Sequence, residues 1–276
     1  MQNTEWLLAV AVGLLAGLHT STWGMYKDAP HEGFTWRKYF RSTILGGIIA
    51  ILVVFVTRFD LTHVPNLAIL FGFTYVIERA LVEFYKTFLR EEDQSKYFIP
   101  MQLSFRGSVV ESRVIRLSAG AVYFMGEVLT VYGVFYLQKM NLNIPGLLFV
   151  VTIGSIGGWI SAFGGAWKDA PKEGFEILKF FRSPLIAIFY AFILANFTDN
   201  YLFITFGALG YTIATTETYK TFFFPSKPRG KFAGKEIKFP EMLRRRQYFI
   251  PLYAGIWVFV LTIMVAAFLT PHGGLL

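Results

Sequence analysis

The side chains best able to act together occur twice. The octapeptide KDAPHEGF fills residues 27–34 and returns as KDAPKEGF at 168–175, 141 positions later. A second pair follows: EFYKTF at 83–88 and ETYKTF at 217–222. A third, KYFRS at 38–42 and KFFRS at 179–183, adds an arginine to each copy. Carboxylates set among lysines and arginines can grip an anion or a phosphate, share an Mg²⁺ with it, or pair with one another as a salt-bridged gate. The candidate ligand-binding residues are therefore Lys27, Asp28, Glu32, Arg41, Glu83, Tyr85 and Lys86 in the first copy. In the second they are Lys168, Asp169, Glu173, Arg182, Glu217, Tyr219 and Lys220. Whether a metal joins them is left open, and the sequence names no cofactor.

The octapeptide also has a plain reading as a helix start. Pro30 suits a first helical position, Asp28 can cap, and Glu32 favours a first turn. The GFTWRKYFRS stretch that follows mixes aromatic and basic residues, as an interfacial helix does. The motif would then be an elbow between two membrane helices.

What must position these residues is a membrane bundle. Of the 276 residues 54% are hydrophobic and 16% charged, well below the roughly 25% charge of soluble domains. No cysteine is present, which removes disulfides, thiolate metal sites and iron–sulfur clusters. Apolar runs lie at 5–24, 42–58, 66–88, 117–138, 146–166, 183–198, 201–222 and 248–270. About 20 helical residues cross a hydrocarbon core, and these runs lack the alternation of a membrane strand. The first run has no Lys or Arg before it, so it reads as a retained helix rather than a cleaved signal peptide.

Lysine and arginine are distributed unevenly. Counting Lys86 and Lys220 with the loops that follow them, the connections after spans 1, 3, 5 and 7 carry 4, 6, 4 and 9, which is 23 of the 26. The positive-inside rule then puts those loops in the cytoplasm and both termini on the other side. Basic residues alternating with long apolar runs also argue against a nucleic-acid partner.

The markers recur in order. Gly13-x-x-x-Gly17 maps onto Gly154-x-x-x-Gly158, Gly24 onto Gly165, and Glu111–Arg116 pairs best with Glu241–Arg246. The expected fold is an all-α integral membrane protein of eight transmembrane helices. They form two parallel tandem repeats of four, residues 1–140 and 141–276. The Gly-x-x-x-Gly pairs make spans 1 and 5 the expected central packing helices. Spans 2 and 6 have only 16 residues between their flanking charges, Arg41 to Arg58 and Arg182 to Asp199. Short segments at matching positions point to a transporter binding region.

The copies also differ. Glu78-Arg79 of the first stands where the second has Thr212-Ile213, and Glu127 is a candidate partner for Arg79. His19 lies in span 1, a weak candidate for a haem or chlorin ligand. The last basic loop, 226–247, is expected to meet anionic lipid headgroups or an acidic partner. Together these features favour a transporter or channel-like protein that binds an anionic or phosphate-bearing ligand. Two alternatives stand beside it: a non-catalytic scaffold within a larger membrane complex, and an Mg-dependent enzyme acting on a lipid phosphate through Asp28, Glu32 and Glu83.

Overall fold

A computed structural model describes residues 3–140, 142, 144–225 and 230–276. It is almost wholly helical: α1 (Asn3–Glu32), α2 (Trp36–Thr57), α3 (Val64–Phe84), α4 (Arg113–Lys139), α5 (Gly146–Glu173), α6 (Ile177–Ala195), α7 (Tyr201–Phe222), the short α8 (Glu241–Arg245) and α9 (Ile250–Leu269). A small hairpin pairs β1 (Ser104–Phe105) with β2 (Ser108–Val109). Among the described residues six helices are long and apolar enough to cross a membrane: Thr4–Glu32, Trp36–Thr57, Arg113–Lys139, Gly146–Glu173, Ile177–Ala195 and Glu241–Leu269. Exposed apolar residues such as Ile48, Leu52, Phe124 and Leu129 suit a hydrocarbon surround.

The octapeptide does not start a helix. Asp28, Pro30 and Glu32 occupy the last turn of α1, and their counterparts the last turn of α5. Each helix stops at a glycine with positive φ, Gly33 at 75° and Gly174 at 83°, a conformation that costs glycine little. The N–H of each turns back to the carbonyl of Ala29 or Ala170 at 2.9 Å. Thr35 then caps α2, its hydroxyl accepting from the Lys38 N–H. Pro30 removes the N–H that would have met the Tyr26 carbonyl; Arg246 Nη1 donates to that carbonyl instead, at 3.0 Å. Helix α2 begins five residues before Arg41, and α6 five before Arg182. Both are therefore longer than their apolar runs, because a basic side chain near a helix end can reach out to polar surroundings.

The glycine pairs act as close-approach sites within hairpins. A Cβ at Gly13 or Gly17 would run into the α2 backbone at Gly46 and Ser42. One at Gly154 would meet the Ala191 side chain, and one at Gly158 the α6 backbone at Pro184. The central pair is α3 with α7, not α1 with α5. Gly72 abuts Gly207 and Gly210, and the Tyr211 hydroxyl donates to the Ala68 carbonyl at 2.8 Å. Neither helix is among the six membrane-length apolar helices named above, for a physical reason. Neighbouring helices cover them, so they bury Glu78, Arg79, Thr205 and Thr212 against protein.

The helix ends collect at two faces. At one, Phe59 meets Phe203 at 4.6 Å between ring centroids and His63 donates to the Pro271 carbonyl at 2.7 Å. There too Gln138 donates to the Asp199 carbonyl at 3.3 Å. At the other, the loops after α3 and α7 interlock: the Phe98 N–H reaches the Lys231 carbonyl at 2.7 Å, and the Phe239 N–H the Pro30 carbonyl at 3.0 Å. Helices α3 and α7 thus start at one face and finish at the other, side by side in the same direction.

Helices α4 and α9 are placed differently. Helix α9 packs on α1 and α3 and buries six residues. Helix α4 rests on α7 and on the π-helical turn Tyr85–Leu89, and of its 27 residues buries only Arg116, Gly120 and Val134. Arg116 and Arg246 play alike parts at the starts of these segments. Arg116 donates to the carbonyls of Val110 and Glu111, and Arg246 to those of Tyr26 and Pro225.

Candidate functional site

A cavity of about 1470 Å³ is lined by residues of α1 to α7 and of the loops at the charged face. Twelve of the fourteen candidate residues line it; Tyr85 and Tyr219 do not. Helix geometry explains the exception. Residues three apart share a face, so Glu83 with Lys86 and Glu217 with Lys220 point inward, while residues two apart point roughly 200° away. Tyr85 and Tyr219 are both exposed, and the Arg182 guanidinium stands 5.8 Å from the Tyr219 ring centroid.

The charges pair between the two sets of repeated motifs. Lys27 Nζ stands 3.7 Å from Glu217 Oε2, and Lys168 Nζ stands 3.6 Å from Glu83 Oε2. Each lysine opens the octapeptide of one copy, and each carboxylate opens the other copy's EFYKTF or ETYKTF. Within each copy the neighbouring lysine closes the set: Lys86 to Glu83 at 3.2 Å and Lys220 to Glu217 at 3.5 Å. Arg79 also binds Glu83, and it lies 5.2 Å from the centre of the Trp23 ring. Glu83 and, at 3.9 Å, Glu78 are therefore its partners, not Glu127, which faces the cavity beside Tyr123.

Loop residues complete the mouth. Lys231 reaches Asp28 at 2.8 Å and Glu32 at 3.8 Å, and the Gly230 N–H donates to Glu173 at 3.1 Å. Lys179 holds Glu173 at 2.6 Å and Asp169 at 3.7 Å. The Tyr97 hydroxyl stands 3.0 Å from both Glu32 and Glu92. Burial works against the Glu92 carboxylate, but hydrogen bonding from Lys96 and the charge of Arg90 hold it below the usual range. Burial and the Glu32 charge push the Tyr97 hydroxyl above its ordinary value, so it stays a donor.

The 226–247 loop thus spends several of its cations inside the protein. Lys231 serves the acidic set, Lys235 donates to the Ser95 carbonyl at 2.8 Å, and Arg246 lies over Tyr26. Lys238, Arg244 and Arg245 are exposed, and Lys227 and Arg229 lie outside the described residues.

No family model, no curated protein and no solved structure matches this chain. The site is therefore read from its own geometry. Asp28 and Glu32 turn to Lys231 and Glu83 to Lys168. Among the described residues no three metal-ligating side chains converge. His19 packs among Tyr75, Tyr253 and Trp257, with Nδ1 3.1 Å from the Tyr75 hydroxyl.

Of the described residues lining the cavity, eleven are basic and nine acidic. Lys38, Arg41 and Arg182 have no carboxylate within 4 Å among the described residues, whereas the other eight basic residues each pair with one. Among the charged groups lining it, Arg182 Nε, Arg90 Nε, Asp28 Oδ1 and Glu217 Oε2 are buried without a hydrogen-bond partner, and such atoms ordinarily find a ligand or water. Sequence reasoning missed Lys231, Tyr97 and Arg79 as members of this set. Arg79 carried a legible signal as a charge within an apolar run, as did Lys179 inside the repeated KFFRS.

Proposed function

We propose that this protein is a multi-pass membrane transporter in which two four-helix halves, 1–140 and 141–276, share one anion-binding cavity. On this reading the chain makes eight crossings in two same-way-up repeats, with the charged face in the cytoplasm and both termini opposite. The supporting observation is the crossed pair of salt bridges, Lys27–Glu217 and Lys168–Glu83. Residues at matching positions of the two copies exchange partners, as a two-fold relation along the membrane normal requires. Ion pairs between two rigid bundles can open and re-form as the halves rock, which makes them a gate. The net positive wall supplies the attraction for an anionic or phosphate-bearing ligand.

The test is flux in proteoliposomes with two probes, ³²P-labelled inorganic phosphate and a fluorescent phosphatidic acid. Wild type should move one of them, and Glu83→Gln with Glu217→Gln should slow it at least tenfold. No movement of either probe by well-folded protein would favour a scaffold. Magnesium-dependent hydrolysis of the phosphatidic acid would favour an enzyme.

A further inference from the structure

We infer that the ligand is an amphiphile, a lipid with a phosphate or carboxylate head, whose chain lies along α7 and enters sideways past α4. This rests on the anion-binding reading above and adds the class of ligand. The cavity changes character along its length. At one end stand the lysines, arginines and carboxylates; at the other the wall is Phe73, Ile77, Leu202, Phe206 and Leu209. On α7 alone it runs from Glu217 to Leu202, about 22 Å at 1.5 Å per residue. A free phosphate needs no such apolar length, which approaches the depth of a hydrocarbon core. An acyl chain fills it, and burying each CH₂ there is favourable by about 0.8 kcal/mol relative to water.

Two further observations fit a chain rather than a compact solute. Gly126 on α4 and Gly164 and Gly165 on α5 line the cavity, and a Cβ at any of them would meet nothing within 4 Å. These positions face open space, unlike the packed glycines of α1 and α3. Helix α4 is also the least buried of the long helices, so the gap it borders is reachable from the bilayer. At the charged end, Arg182 is the natural seat for the head: its buried Nε has no hydrogen-bond partner and no carboxylate lies within 4 Å of the side chain among the described residues.

Native mass spectrometry of the detergent-purified chain tests this. Phosphatidic acid, phosphatidylcholine and inorganic phosphate are offered at equal concentration. One retained phosphatidic acid per chain is expected, at least tenfold over phosphatidylcholine. Gly164→Phe, which fills open space and removes no charge, should cut retention about tenfold, and Arg182→Gln should remove the preference over phosphatidylcholine. Equal retention of both lipids, or unchanged retention in Gly164→Phe, overturns the inference. So does phosphate binding without lipid binding, although flux of phosphate would then leave the transport reading standing. Lipid retention without flux of either probe would do the reverse.

Discussion

Lys27 and Glu217 lie 190 positions apart in the chain, yet their charged atoms stand 3.7 Å apart in the lining of the cavity. Their counterparts Lys168 and Glu83 repeat the arrangement at 3.6 Å. The side chains of Lys27 and Glu217 are 18% and 16% exposed. That pair therefore falls between the exposed class, worth at most about 1 kcal/mol, and the fully buried class, where removing one partner costs about 3–5 kcal/mol.

Lys27→Glu should therefore destabilise the folded protein by about 2 kcal/mol, through repulsion from Glu217 and the loss of the pair. Combining it with Glu217→Lys should recover most of that. Thermal unfolding in detergent, run as a double-mutant cycle, measures the coupling. Additive effects would mean the two side chains do not interact.

The glycines divide into two classes. Gly210→Ala drives a methyl into the Gly72 backbone and should cost about 1–3 kcal/mol. Gly126→Ala meets nothing within 4 Å and should be neutral, or stabilising by up to about 1 kcal/mol through helix propensity. Unfolding midpoints of the two variants should move in opposite directions or differ by several degrees.

Arg246 and Pro30 should be coupled through the Tyr26 carbonyl. Arg246→Gln loses a charged donor to a buried acceptor and should cost about 2 kcal/mol. In a Pro30→Ala background residue 30 regains an N–H for that carbonyl, so the same change should cost visibly less. Equal costs in both backgrounds would remove the link.

Glu92 gives the loop after α3 an acid limit. Its carboxylate titrates below the usual value in the folded state. The stability it adds is therefore fully present above about pH 4.5, the ordinary glutamate range, and is lost as pH falls through the lower folded value. Hydrogen exchange in residues 90–112 should quicken over that window in wild type. Glu92→Gln should flatten the response and exchange faster at neutral pH.

Much of this was legible in the residues. The apolar runs announced the helices because a bilayer leaves the backbone no other partner. The repeated octapeptides announced a shared place, and twelve of the fourteen candidates do line one cavity. What the residues concealed was partnership. DAPxE reads as a helix start by local preference, but Gly33 and Gly174 supply the stop and place it in a last turn. The Gly-x-x-x-Gly pairs marked close approach without saying to which helix. Gly72, Gly207 and Gly210, with no such spacing between them, make the central contact. Lys231 comes from a loop 203 positions after Asp28, and no local pattern announces so distant a pairing.

Proteoliposome flux of ³²P-phosphate and fluorescent phosphatidic acid, compared across wild type, Lys27→Glu, Glu217→Lys and the double reversal, weighs the whole scheme at once. Each single reversal should slow the transported probe at least tenfold, and the double should return to within about threefold of wild type. A double reversal no faster than the singles, or four equal rates, would contradict the idea that these two halves gate one anion pathway through their crossed pairs.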